Sequence, residues 1–441
     1  MLTVHKIGVA LGAALPAQEH EVRFTVTDSR KAGEYCLFAA IEGERVDGHS
    51  FIPALDQQYE NIVFLGSKTM ETRHPYFVVS DVREALGRIA KVHLQELSAK
   101  IVGVTGSVGK TTTKNFILSA LGAAMQVSGT AGNMNNELGV PLTALAVSEQ
   151  DRAAVIEMGM RGLGQINYLT QFITPDIAVV TNIGVAHLEL LGTRENIAKA
   201  KLELVDALQD GTALLNGDEP LLYGARPEKK CCYFGLSAHN DYRAEKIEGE
   251  NFTLCYPDGS IDIALKVEGE HQIMNALAAF GVGHLLGVEP QLLKMGLESF
   301  TGDGRRMFTE TVGEVTVIDD TYNASPDSMA AALKVLAAKK GRRVAVLGDM
   351  LELGAYEEAG HIRVGALCDE LGIDCLVAAG PRARMIYDAA HCEKYYAASR
   401  EEALPLLAEQ VKAGDTVLFK ASNSMGFDRL AAALKERMGK S

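Results

Sequence analysis

Residues 103–114 read GVTGSVGKTTTK, between the apolar run KIVGV (100–104) and NFILSALGAA (115–124). A buried strand, a glycine-rich turn and a helix in that order form a phosphate loop. Glycines let backbone N–H groups turn toward an anion. The helix that follows offers its positive end to the same anion. Lys110 is placed to neutralise terminal phosphates and Thr111 to put its hydroxyl on Mg²⁺. The ATP-binding candidates here are Gly106, Ser107, Val108, Gly109, Lys110, Thr111 and Thr112. The usual pattern has one more glycine, five residues before Gly109, where this chain has Val104. The plain alternative is a Gly/Thr-rich helix entry that binds nothing.

Working outward, AAVIEMG (153–159) and DIAVVTNIG (176–184) are further apolar strands, each followed by a helical segment. Strands alternating with helices predict a parallel sheet covered on both faces. FTLCYPDGSIDIALKVEG (252–269) alternates around Pro-Asp-Gly and predicts a hairpin, and HQIMNALAAFGVGHLLG after it has helical spacing. Before Lys100, CLFAAI (36–41), NIVFLG (61–66) and YFVVS (76–80) read as short strands and residues 83–97 as a helix. After Arg306, VTVIDD (315–320), RRVAVLGDM (342–350), DCLVAAG (374–380) and DTVLFKAS (415–422) alternate with helices. The expected fold is therefore α/β with three domains. A small mixed N-terminal domain spans 1–98, a central P-loop-type parallel-sheet ATPase domain 99–305, and a C-terminal Rossmann-like domain 306–441.

The bulk properties agree with a globular chain. Its 441 residues exceed one ordinary core. Acidic residues number 57 against 43 basic ones, a formal charge of −14, which disfavours a general nucleic-acid or membrane-surface binder but leaves room for a local basic pocket. Seven scattered cysteines include no C-x-x-C pair and point to reduced thiols in a cytosolic protein. The opening MLTVHKIGVALGAALPA weakly imitates a signal peptide, but Gly8 and Gly12 break its apolar run. A short helix opening the first domain is expected instead. No stretch is long and apolar enough to span a bilayer.

Other residues sit where ligands bind in such sheets. Glu157 ends a strand, at the edge where open α/β sheets hold ligands, and could share Mg²⁺ with Thr111. His187 follows another strand end and could ligate a second cation. Alone, each is more often a cap or a backbone-satisfied side chain. Lys199 and Lys201 lie on the predicted helix ENIAKAKLELV (195–205), where solvated lysines are the ordinary reading. Asp320, in VIDDTYNASPDSM (317–329), could accept bonds from a ribose or simply belong to a capped turn. Arg305 and Arg306 could meet phosphate or solvent.

Taken in order, these motifs resemble the ATP-dependent Mur ligases of bacterial cell-wall synthesis. The likeness runs through DSRKAGEYCLFAAIEGERVDGHSFI (28–52), TGSVGKTTTK, GNMNNELGVPLT (132–143), IEMGMRGLGQI (156–166), NIGVAHLELLGTRENIAKAKLEL (182–204) and EGEHQIMNALAA (268–279). The stretches DDTYNASPDSMAAAL (319–333) and VLGDMLELG (346–354) resemble the branch that adds D-alanyl-D-alanine. The neighbouring branch, which adds the third amino acid, usually carries Asp-Asn-Pro-Arg, and this chain has none.

That resemblance implies an ADP-forming ligase with UDP-N-acetylmuramoyl-tripeptide and D-alanyl-D-alanine as partners. The tripeptide carboxylate would take the γ-phosphate of ATP and the dipeptide amine would displace it. Binding of the UDP end falls to the first domain, ATP to the second, and closure to the third. The cofactors implied are ATP, two Mg²⁺ and a CO₂-derived carbamate on Lys201, with Lys199 the competing position. Thr111 and Glu157 would hold the first Mg²⁺, and His187 and carbamylated Lys201 complete the metal set. Lys110, Lys201 and His187 are the implied catalytic residues. Asn275, Arg306 and Asp320 resemble adenine, phosphate and ribose contacts. Ser29 and Arg30 resemble part of the uridine-diphosphate site, Asn135 and Asn136 face substrate or phosphates, and Lys420 and Ser424 close from the last domain. The implied protein is cytoplasmic and monomeric, without nucleic-acid partner or transmembrane segment. Two alternatives stand beside it: a related ligase for a different amine, and a nucleotide-dependent regulator, which would leave the later motifs idle.

Overall fold

Strand Lys100–Thr105 lies inside a nine-stranded sheet in a computed structural model that describes residues 1–302 and 304–439. Its neighbours are Ala153–Glu157 and Ile177–Val180, both parallel to it. Side chains alternate across the sheet as period-two geometry requires. Ile101, Ala154, Ile156, Ala178 and Val180 enter one apolar cluster. Val102, Val104, Val155, Ile177 and Val179 enter the other. Both faces are thus buried, which explains why these strands are apolar without alternation in polarity.

The strand order from one edge is Val127–Gly129, Ala153–Glu157, Lys100–Thr105, Ile177–Val180, Thr212–Asn216, Cys231–Gly235 and Tyr242–Glu248, all parallel. Asn251–Tyr256 and Gly259–Ala264 then add the hairpin that Pro-Asp-Gly announces. The chain leaves Lys100–Thr105 for one side of the sheet and returns to the other with Ile177–Val180. That reversal opens a crevice at the carboxyl ends of the strands.

The N-terminal unit opens with the expected short helix, Val4–Leu11, capped by Thr3 and ended by Gly12 at φ 64°. Its strands Phe24–Val26, Cys36–Ala39, Ile62–Gly66 and Tyr76–Val78 are all parallel, and the antiparallel part is a small ribbon pairing Leu2–Thr3 with Glu21–Val22. Helix Val82–Gln95 shares one apolar cluster with this unit and with the central sheet, fastening the two together. In the C-terminal unit the order is Phe308–Val312, Val315–Asp319, Thr416–Lys420, Arg343–Gly348, Cys375–Ala379 and Glu393–Ala397. Only the first strand is antiparallel. All seven cysteines are free. Among the described residues no helix is long and apolar enough to cross a membrane.

Candidate active site

Helix Lys110–Gly122 starts at Gly109, whose φ of 83° favours glycine, and no side chain caps its first turn. The loop before it is held from below. Ser107 N–H donates to the Asn182 carbonyl at 3.1 Å, and Val108 N–H to Asn182 Oδ1 at 2.9 Å. Thr181 Oγ1 donates to the Val108 carbonyl at 2.7 Å. A Cβ at Gly106 would fall 1.9 Å from Thr181 Oγ1, so this contact requires glycine. Lys110 Nζ folds back onto the Gly106 carbonyl at 2.8 Å. Ser107 Oγ is buried without a hydrogen-bond partner. An orphaned hydroxyl beside uncapped N–H groups and an ammonium suits a phosphate.

Parallel pairing sets Glu157 opposite Val104, one strand from the loop. Glu157 is 1% exposed, accepts from Thr111 Oγ1 at 2.6 Å and from Asn135 Nδ2 at 2.7 Å, and its N–H donates to Thr130 Oγ1. A carboxylate and a hydroxyl this close are hard oxygen donors of the kind Mg²⁺ takes. Asn136 instead caps a turn, with Oδ1 accepting from Leu138 and Gly139 N–H. Among the described residues, no three His, Cys, Asp or Glu side chains converge on one metal position.

The two lysines of helix Arg194–Asp206 separate cleanly. Lys199 is exposed, whereas Lys201 is 2% exposed. Burial, with Lys110 nearby, holds the Lys201 amine well below its ordinary pKa. Burial likewise lowers Lys110, against the pull of Glu157 and with Arg306 adding to the shift. His187, at φ 63°, has its pKa lowered to about 4 by burial, then by Lys110, Lys201 and Arg161.

Lys110, Thr111, Glu157 and His187 face a cleft of about 1270 Å³ that also receives the other domains. Asp81 and Arg83 reach it from the N-terminal unit; Arg306, Asp320, Glu352 and Lys420 reach it from the C-terminal one. Arg306 lies over the Tyr322 ring at 3.7 Å. Lys420 Nζ donates to Asp320 Oδ2 at 2.5 Å and to the Asn323 carbonyl at 2.9 Å. Burial raises the Asp320 pKa, and Lys420 works against that rise. Asn275 accepts from Thr113 Oγ1 at 2.8 Å and lines the wall beside the phosphate loop.

Five sequence candidates are not on the cleft wall, and two of them, Gly106 and Lys201, are buried without lining it. Ser29 and Arg30 form a turn of the N-terminal unit in which Arg30 pairs with Asp28 and is exposed. Ser424 is exposed on the turn Asn423–Met425. Sequence reasoning in turn missed Thr181, Asn182, Arg161, His271 and Glu352, all on the wall. Thr181 and Asn182 follow a buried strand directly, the same signal that exposed Glu157.

Comparison with known proteins finds similarity along nearly the whole chain. Residues 21–93 match the Mur ligase family catalytic domain, 104–283 the Mur ligase middle domain, and 304–423 the Mur ligase glutamate ligase domain. The UDP-N-acetylmuramoyl-tripeptide–D-alanyl-D-alanine ligase of Bacillus subtilis (strain 168) is 38% identical, with 98% of each chain covered. The chain belongs to the Mur ligase family. The Escherichia coli (strain K12) ligase of the same name is 34% identical to this Mur ligase, over 99% of this chain and 98% of that one. The crystal structure of MurF from Acinetobacter baumannii superposes with a TM-score of 0.90 at 32% identity, covering 99% of both chains. MurF from Thermotoga maritima in complex with ADP has a TM-score of 0.86 at 29% identity, over 95% and 98%.

Proposed function

We propose that this Mur ligase joins D-alanyl-D-alanine to the terminal carboxylate of UDP-N-acetylmuramoyl-tripeptide, forming ADP, in peptidoglycan synthesis. The observation that carries this reading is the end-to-end similarity to ligases of that name. The cleft supports it by supplying the parts the chemistry needs.

A tripeptide carboxylate oxygen attacks the γ-phosphorus, the bond from that phosphorus to the ADP oxygen breaks, and ADP leaves an acyl phosphate behind. The dipeptide amine then attacks the activated carbonyl and inorganic phosphate leaves. Two anions repel in the first step. Mg²⁺, when bound, would supply positive charge that offsets this repulsion. Thr111 and Glu157 would hold one ion, and His187 and Lys201 the other. Lys110 leaves the Gly106 carbonyl for the γ-phosphate and stabilises the charge on the group in transit. Asn275, Arg306 and Asp320 take the nucleotide, Asn135 and Asn136 the substrate side, and Ser29 with Arg30 the uridine-diphosphate end. Lys420 fixes Asp320 from the third domain. Closing that domain over the cleft keeps water from the acyl phosphate.

A buried amine kept neutral is the form that adds CO₂. Its nitrogen lone pair would bond the CO₂ carbon as one C=O π pair moves onto oxygen, and the N–H proton would pass to water. The product is a carboxylate where metal chemistry wants one, with the Lys110 cation nearby to favour it. Seven free thiols support a cytoplasmic setting, in which we expect a monomer.

The test is product analysis. Purified enzyme with Mg²⁺ should release phosphate only when both substrates are present. Mass spectrometry should show the pentapeptide product with the diaminopimelate or lysine tripeptide, across a panel of amines. A different amine as the preferred acceptor would move the chain to another ligase branch. Phosphate release without either substrate would remove the ligase reading.

A further inference from the structure

One contact outside that scheme joins two domains at a residue the scheme uses. Nδ1 of His187 lies 3.1 Å from Oε2 of Glu352, which follows strand Arg343–Gly348 of the C-terminal unit. Both residues hold φ 63°, a conformation uncommon outside glycine, so each loop is shaped to present its side chain. The loops are docked around them. Val185 packs against the C-terminal core. Gly354, at φ 54°, presses on Glu189, where an added Cβ would come within 2.6 Å of the Glu189 Cα. Arg161 lies 3.9 Å from the other Glu352 oxygen.

We infer that Glu352 is a positioning residue for His187, supplied by the third domain to a metal site carried by the second. This rests on the reading of His187 as a metal ligand. An imidazole that ligates through Nε2 must carry its proton on Nδ1, and a carboxylate on that nitrogen fixes the ring and strengthens the ligand. Glu352 stands on Nδ1. Because it comes from another domain, the site is complete only when the two domains are docked. Metal binding and closure therefore favour each other reciprocally.

The test is Mn²⁺ binding, followed by electron paramagnetic resonance, to the full chain with a non-hydrolysable ATP analogue and UDP-muramoyl-tripeptide. Glu352→Ala should weaken one ion by about 10–100-fold and leave the other unchanged. The retained ion also reports that the variant is folded. Glu352→Gln, whose amide oxygen still accepts from Nδ1, should stay near wild type. His187→Ala should weaken the same ion as Glu352→Ala. If Glu352→Ala binds both ions normally while His187→Ala loses one, the positioning role is wrong and the ligand assignment stands. If His187→Ala keeps both ions, the ligand assignment fails and takes this inference with it. Equal losses in Glu352→Gln and Glu352→Ala would show that interdomain charge matters rather than ring orientation, and would overturn the role.

Discussion

A lysine enclosed at 2% exposure has few stable fates. As an ammonium it bears a large desolvation cost; as a neutral amine or a paired anion it does not. Lys201→Ala should therefore spare the fold but lower the phosphate-release rate by about 10–100-fold. A small added carboxylate such as acetate should restore part of it, and normal activity in the variant would refute the carbamate. Lys110→Ala should cost about 10²–10³ in kcat with an unchanged melting temperature, because its role is at the transferring phosphate. The histidines give a pH signature. His187 and His271 both have folded pKa values lowered to about 4, by burial first, with Lys110 next for His187 and Lys420 for His271. The unfolded chain binds those protons near pH 6.5, so it gains protons before the folded one. Stability is full above that value and falls as pH drops from about 6.5 toward 4. Each group accounts for a loss of up to about 3 kcal/mol by the acid end of that window. Melting curves across that window should show a shallower acid loss in His271→Asn than in wild type.

At the scale of elements, the phosphate loop is a backbone device. Gly109→Ala should weaken nucleotide binding and lower the melting temperature, since φ 83° is unfavourable for alanine by about 1–2 kcal/mol and its Cβ would stand 3.2 Å from Asn275 Oδ1. Calorimetry with ADP checks this, and unchanged affinity would argue against the loop as the phosphate site. The loop and its flanking strand and helix were legible because glycines, lysine and threonine at that spacing have few other uses. Strands such as Ala153–Glu157 and Arg343–Gly348 were legible as apolar runs buried on both faces. Thr212–Asn216 and Cys231–Gly235 were not anticipated. They are no shorter than Ala153–Glu157, but Thr212–Asn216 begins and ends in polar residues and Cys231–Gly235 opens on Cys-Cys-Tyr, so neither is an unbroken aliphatic run. The Lys199–Lys201 choice shows a different limit. Two positions apart on a helix, the side chains diverge, and only tertiary packing decides which one is buried. Glu352 and Arg161 left no sequence signal because their meaning is a contact between domains.

Across the whole molecule, three sheets bring side chains to one cleft, and the third domain contributes Arg306, Asp320, Glu352 and Lys420 to it. Docking of Gly354 on Glu189 is part of that arrangement. Gly354→Val should lower kcat by about 10²-fold, through misplacement of the third domain, while ADP affinity at the loop changes little. Steady-state kinetics beside calorimetry checks this, and equal losses in both would point to a damaged central domain instead. The most direct measurement on the account's central claim is a structure of the chain with a non-hydrolysable ATP analogue and Mg²⁺. The account predicts the γ-phosphate at the 106–112 loop, with Lys110 Nζ released from the Gly106 carbonyl to reach it and an ion on Thr111 and Glu157. A triphosphate bound away from that loop, with Lys110 still on Gly106, would contradict it.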